Sequence, residues 1–159
     1  MLELTPKRRY AEEAAVVLTG MGLPPSYGKL LGWLLVCDPP YQTSAELAEA
    51  LDLSKGSVST GMRMLETGRL VRRVALPGRR GHAYEMVPDA FMQVSESDNF
   101  RVFRELMERG LTVVGGDDAP GAERLRHTRD FYAFVERELP QLIERFKREY
   151  LPKEARTDG

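Results

Sequence analysis

The chain has 159 residues, 42% of them hydrophobic and 30% charged, with a formal net charge of −1. That length fits one domain, or one domain with an added oligomerisation element, and the near-zero charge gives no bulk sign of a polyanionic partner. The longest apolar run, Leu30 to Cys37, falls far short of the roughly 20 residues that cross a bilayer, and Glu12 and Glu13 stand where a signal peptide would be apolar, so a soluble, cytoplasmic protein with no membrane partner is expected.

Thr5 as N-cap and Pro6 at the first helical position open a helix with the stripe Tyr10, Ala14, Val17, Leu18 and Met21, closed by Gly20 and Gly22. Pro24-Pro25 opens a second, in which Tyr27, Leu30, Leu31, Leu34 and Leu35 recur at i, i+3, i+4, i+7 and i+8. Gly28 and Gly32, one turn apart, permit close approach of a neighbouring helix, and Asp38-Pro39-Pro40 breaks the pattern. Thr43 and Glu46 form a capping box before a short helix carrying Leu47, Ala48 and Leu51. Asp52-Leu53 is a tight connection, and Ser54 caps a fourth helix that buries Val58, Met62 and Leu65 and ends at Gly68.

The period then changes to two. Leu70, Val74 and Leu76 share one parity and Val71, Arg73 and Ala75 the other, while Tyr84 and Met86 share a face in the stretch from His82 to Val87. Pro77-Gly78-Arg79-Arg80-Gly81 lies between, giving a β-hairpin with a basic tip. After Pro88-Asp89 a helical region carries Phe100, Phe103, Leu106, Met107 and Leu111, and the segment Gly115 to Gly121 is a loop. A last long helix places Thr128, Tyr132, Val135, Leu139, Leu142 and Phe146 on a coiled-coil-like seam, with Pro140 as a point of kinking.

Catalytic and metal motifs are missing. One cysteine, Cys37, excludes an internal disulfide and thiolate zinc clusters, and it follows an apolar run as a buried small hydrophobe does. His82 and His127 lie far apart, Gly56-x-x-x-x-Gly61 continues as Met62-Arg63 where a phosphate loop needs Lys and Ser/Thr, and no G-x-S-x-G occurs. No enzyme, cofactor or metal site is expected.

Two short helices joined by a tight turn, then a hairpin, describe a winged helix-turn-helix. The expected fold is mainly α with a small β-hairpin, an α+β winged helix-turn-helix with N- and C-terminal dimerisation helices. The expected boundaries are 1–22 for the N-terminal helix, 23–88 for the winged module, 89–152 for the C-terminal helical region and 153–159 for a polar tail. The fourth helix presents Lys55, Gly56, Ser59, Thr60 and Arg63 opposite its buried face, with Ser57 at the border. Small side chains let a helix enter a major groove, and Arg and Lys reach guanine edges. Charge agrees with this reading. Residues 54–87 hold 7 basic and 2 acidic side chains, against 4 and 7 in residues 1–53 and 12 and 15 in residues 88–159. A basic patch inside an otherwise acidic chain is the footprint of phosphate contacts. The candidate DNA-binding set is Lys55, Ser57, Ser59, Thr60, Arg63, Arg79 and Arg80, with the two wing arginines suited to a narrow minor groove and to phosphate. The alternative is a winged-helix protein–protein interaction module without specific DNA binding.

The segment from Thr43 to Met86 resembles the DNA-binding module of MarR-family transcription regulators, in particular the GbsR-like branch. The resemblance is carried by Ser54-Lys55-Gly56-Ser57-Val58-Ser59, Leu65, Gly68-x-Leu70-Val71 and Gly78-Arg79-Arg80, and upstream by Gly22-Leu23-Pro24 and Gly28-x-x-x-Gly32. It covers roughly residues 20 to 90. It implies a homodimer that binds palindromic double-stranded operator DNA, usually as a repressor, with dimerisation by the terminal helices. Ser57, Ser59, Thr60, Arg63, Arg79 and Arg80 occupy the positions that touch DNA in that family. No particular ligand is implied. Tyr27, Trp33 and Phe91 are the candidates for lining a small-molecule effector pocket, with core packing as the alternative for each.

Overall fold

The computed structural model describes residues 4–96 and 98–151, so the expected polar tail, 153–159, lies outside the described residues. The elements are α1 (Pro6–Gly20), α2 (Pro25–Val36), β1 (Tyr41–Gln42), α3 (Ser44–Leu51), α4 (Lys55–Thr67), β2 (Val71–Ala75), β3 (His82–Met86), a 3-10 helix (Ala90–Glu96), α5 (Asn99–Val114) and α6 (Glu123–Tyr150). They divide into two compact units, Met1–Ala90 and Phe91–Gly159.

In the first unit α2 is the central element. Its faces bury Tyr27, Leu30, Leu31 and Leu34, and it packs against α1, α3, α4 and β3. Leu35, expected on the same stripe, is instead 45% exposed. The apolar stripe of α1 is also partly turned, since of its expected members only Ala14 and Leu18 lie toward the core. Ala11 and Ala15 face α2, whereas Tyr10, Val17 and Met21 point outward. Glycines on α2 explain the inversion. A Cβ at Gly28 would lie 2.6 Å from the Ala15 Cα, and one at Gly32 would lie 2.6 Å from the Ala14 Cβ. The two backbones meet through small residues, and only alanines fit between them.

Thr5 caps α1 by accepting from the Arg8 N–H, and the Thr43–Glu46 box at α3 is reciprocal, at 3.1 and 2.9 Å. The sheet has three antiparallel strands in the order β1-β3-β2. In the hairpin, Val71 pairs with Met86, Arg73 with Tyr84 and Ala75 with His82. The two-residue β1, which pairs Tyr41 with Glu85 and Gln42 with Tyr84, was too short to show a period in the sequence. The expected alternation in β2 is weak, because Val71 is buried while Val74 is only half-buried.

The second unit is an antiparallel helical pair. Arg104 binds Glu136 at 2.6 Å, Phe103 stacks on Tyr132 at 5.2 Å, and Gly110 lies against Leu125. The Arg104 guanidinium holds the Glu136 carboxyl below the usual glutamate range. Leu111 and Ala122 are buried, but α6 buries none of its residues. Pro140 lies inside α6, which runs on to Tyr150. The expected seam divides. Tyr132 meets α5, whereas Leu142 and Phe146, beyond the start of α5, are 51% and 42% exposed.

Gly28→Ala is expected to destabilise the first unit by about 1–3 kcal/mol, the usual cost of forcing a methyl into a packed contact. Gly20→Ala, whose Cβ would meet nothing within 4 Å, should be neutral or slightly stabilising. Urea unfolding of both variants followed by circular dichroism separates the two cases.

Candidate nucleic-acid interface

The candidate reading element is α4, and its local chemistry fixes where it starts. The Ser54 Oγ accepts from the Ser57 N–H at 3.1 Å and donates to the Ser57 Oγ at 3.0 Å. Just before it, Asp52 takes a left-handed conformation (φ 52°) and the Leu53 N–H closes on the Ala48 carbonyl at 3.0 Å, which makes the turn between α3 and α4 sharp. Val58, Met62 and Leu65 are sealed in the core. Gly61 completes that face against the Leu30 side chain, so α4 lies close on α2. Helical period alone places Gly61 there, three residues after Val58 and four before Leu65, although a glycine carries no apolar signal.

Lys55, Ser59, Thr60 and Arg63 are exposed on the other side of α4, and Ser57 is half-buried and held by Ser54. Arg79 and Arg80 are exposed in the wing loop. That loop is turned by Gly78 (φ 70°) and Gly81 (φ 96°), with the Arg79 N–H donating to the Leu76 carbonyl. The structure therefore gathers the first five of these onto one helix and the last two onto one hairpin tip.

The charge of residues 54–87 is not uniformly available. Its two carboxylates are each held by an arginine of β2, Glu85 by Arg72 at 2.8 Å and Glu66 by Arg73 at 3.2 Å. The Glu66 hydrogen bond raises the Arg73 guanidinium further above its ordinary value. Lys55, Arg63, Arg69, Arg79 and Arg80 make no ion pair among the described residues. Arg69 was not singled out from the sequence. It, and not Gly68, adopts the left-handed conformation after α4 (φ 58°), and it is exposed. A glycine next door hid that role, since glycine is the default residue there.

The candidate effector residues have different local surroundings. Tyr27 is buried in the core, where burial pushes its phenol up. Trp33 is half-buried and donates through Nε1 to the Gln42 Oε1 at 3.4 Å. Phe91 is 57% exposed in the second unit. A groove of about 830 Å³ runs along α6, lined by residues such as Phe134, Leu139, Leu142 and Arg145, and none of the three lines it. Burial also pushes the Cys37 thiol up, which disfavours the reactive thiolate. No group of three or more His, Cys, Asp or Glu able to hold a metal occurs among the described residues, and no helix there is long and apolar enough to cross a membrane.

Comparison with known proteins places the chain in a family. A family model described as "MmpR5-like MarR family transcriptional regulator" matches residues 89–149. The HTH-type transcriptional regulator MmpR5 of Mycobacterium tuberculosis is 38% identical over 122 residues, covering 75% of this chain and 73% of that protein. The chain belongs to the MmpR5-like MarR family of transcriptional regulators. A solved structure described as a transcriptional regulator superposes with a TM-score of 0.78 at 35% identity, covering 88% of this chain and 97% of the other. The MarR-type winged helix is thus the fold of the chain. The matched family segment lies in the helices that follow the winged module, where the sequence resemblance did not reach.

Within this MarR-type module, Ser54→Ala should cost about 1 kcal/mol, the usual worth of a helix N-cap. Ser57→Ala, which leaves the backbone cap intact, should cost less. Chemical denaturation of the two variants checks the order.

Proposed function

We propose that the protein is a homodimeric, sequence-specific regulator that binds a palindromic operator in double-stranded DNA, acting as a cytoplasmic repressor of the GbsR-like kind. The observation that carries this reading is the set of five positive side chains, Lys55, Arg63, Arg69, Arg79 and Arg80, that have no carboxylate partner among the described residues and lie on α4, its C-terminal turn and the wing. Unpaired cations on an exposed helix face and hairpin tip attract phosphate and remain free to reach base edges. Small neighbours support groove entry, since Gly56, Ser59 and Thr60 leave the α4 surface low around Arg63. A palindrome follows from two-fold symmetry in a dimer. The repressor role and the branch rest on the resemblance of residues 20 to 90.

Dimerisation is supported by the surface of the terminal helices. Phe131, Phe134, Leu142 and Phe146 on α6 are between 42% and 59% exposed, and Val16 and Val17 on α1 and Met21 at its C-cap between 61% and 74%. Apolar surface of that extent marks an interaction site. Leu142→Glu should shift the protein toward monomer in light scattering at micromolar concentration without changing the fold of the first unit.

Binding of the full chain to labelled random duplex across a salt series tests the nucleic-acid reading. A steep loss of affinity with salt is expected, and a flat response would favour a protein-interaction module. Arg63→Ala should weaken operator binding by about 1–3 kcal/mol per half-site and relax sequence preference. Arg79→Ala combined with Arg80→Ala should lower the salt slope by roughly 1 to 2 units per wing. Equal losses on operator and random duplex for Arg63→Ala would remove it as a base reader.

A further inference from the structure

Glu66 stands three residues after Arg63 on α4, a spacing at which a helix brings the two side chains together. They do not pair. The Glu66 carboxylate accepts instead from Arg73 Nε on β2 at 3.2 Å. Arg73 lies directly opposite Tyr84 in the hairpin, and its guanidinium sits 5.8 Å from the centre of the Tyr84 ring. Tyr84 is buried, and its hydroxyl lies 3.3 Å from His82 Nε2, the first residue after the wing loop. A continuous line of side chains, Glu66, Arg73, Tyr84 and His82, therefore joins the last turn of α4 to the base of the wing.

We infer that Arg73 is a positioning residue for DNA readout: it draws the Glu66 carboxylate away from Arg63 without itself contacting DNA. This rests on the nucleic-acid reading above. A carboxylate left loose one turn from Arg63 competes for its guanidinium and repels the incoming phosphates. Arginine suits the task where lysine does not. Its Nε donates to the carboxylate while its central carbon lies over the Tyr84 ring. Arg72 treats Glu85 in the same way one residue earlier, so the wing strand neutralises both carboxylates of the basic segment.

The test uses the full chain as wild type, Arg73→Gln, Glu66→Gln, the double variant and Arg73→Lys. The probes are two labelled duplexes, one enriched from a randomised pool by the wild-type protein and one of random sequence. Arg73→Gln should lose about tenfold in affinity for the enriched duplex, within the range of coupled neighbours, and less for the random one. Adding Glu66→Gln should restore most of that loss with a wild-type salt slope, and Arg73→Lys should retain only part of the affinity. In an Arg63→Ala background, Arg73→Gln should have little further effect. A loss that Glu66→Gln does not rescue, with a salt slope lower by about one unit, would make Arg73 a phosphate ligand and overturn the assignment. So would wild-type affinity for Arg73→Gln. If the wild-type chain enriches and binds no duplex at all, the nucleic-acid reading itself falls, and that outcome is distinct from the other two.

Discussion

The first unit is organised by the need to bury α2. A helix of 12 residues with a leucine-rich centre cannot stand mostly open to water, so other elements must cover most of it. They do so at unusually short range because glycines mark the contacts: Gly28 and Gly32 admit α1, and Gly61 admits α4 over Leu30. The position of the reading helix is thus set by apolar packing on its inner side, independently of the polar residues on its outer side. Those outer residues are free to be chosen for recognition, because none of them holds the helix in place.

The short-range features were legible because they are local chemistry. Thr43 with Glu46, Ser54 ahead of α4 and the Pro77–Gly81 turn each act within a few residues, and the structure builds each where its residue types place it. The face that α1 turns to α2 was not legible in the same way. Hydrophobic size pointed to Tyr10, Val17 and Met21, yet the contact uses Ala11 and Ala15 because close approach, and not area, decides it. β1 escaped for a different reason: two residues show no period, and Tyr41 and Gln42 become a strand only when β3 lies beside them.

The candidate interface residues could be listed from the sequence but not joined into a network. Counting charges gave residues 54–87 their excess, but only the geometry separates Arg72 and Arg73, which are spent on carboxylates, from Arg63, Arg79 and Arg80, which are not. Arg69 was masked by Gly68, and the link from Glu66 through Arg73 to Tyr84 spans a helix and two strands, so no spacing in the chain announces it. Cation and carboxylate counts describe a surface's average field, whereas recognition depends on which charges remain uncommitted.

The absence of any buried residue along α6 has a thermodynamic consequence. A helical pair that, among the described residues, seals only Leu111 and Ala122 has little core with which to offset the entropy of ordering 28 residues of α6. Whatever covers its outer face contributes directly to its folding free energy, so folding and binding become one equilibrium there. If the cover is a second copy of the chain, the folded fraction of this unit follows the protein's own abundance: a cell that dilutes the regulator by growth also erodes its structure, and proteolysis would then sharpen the decline.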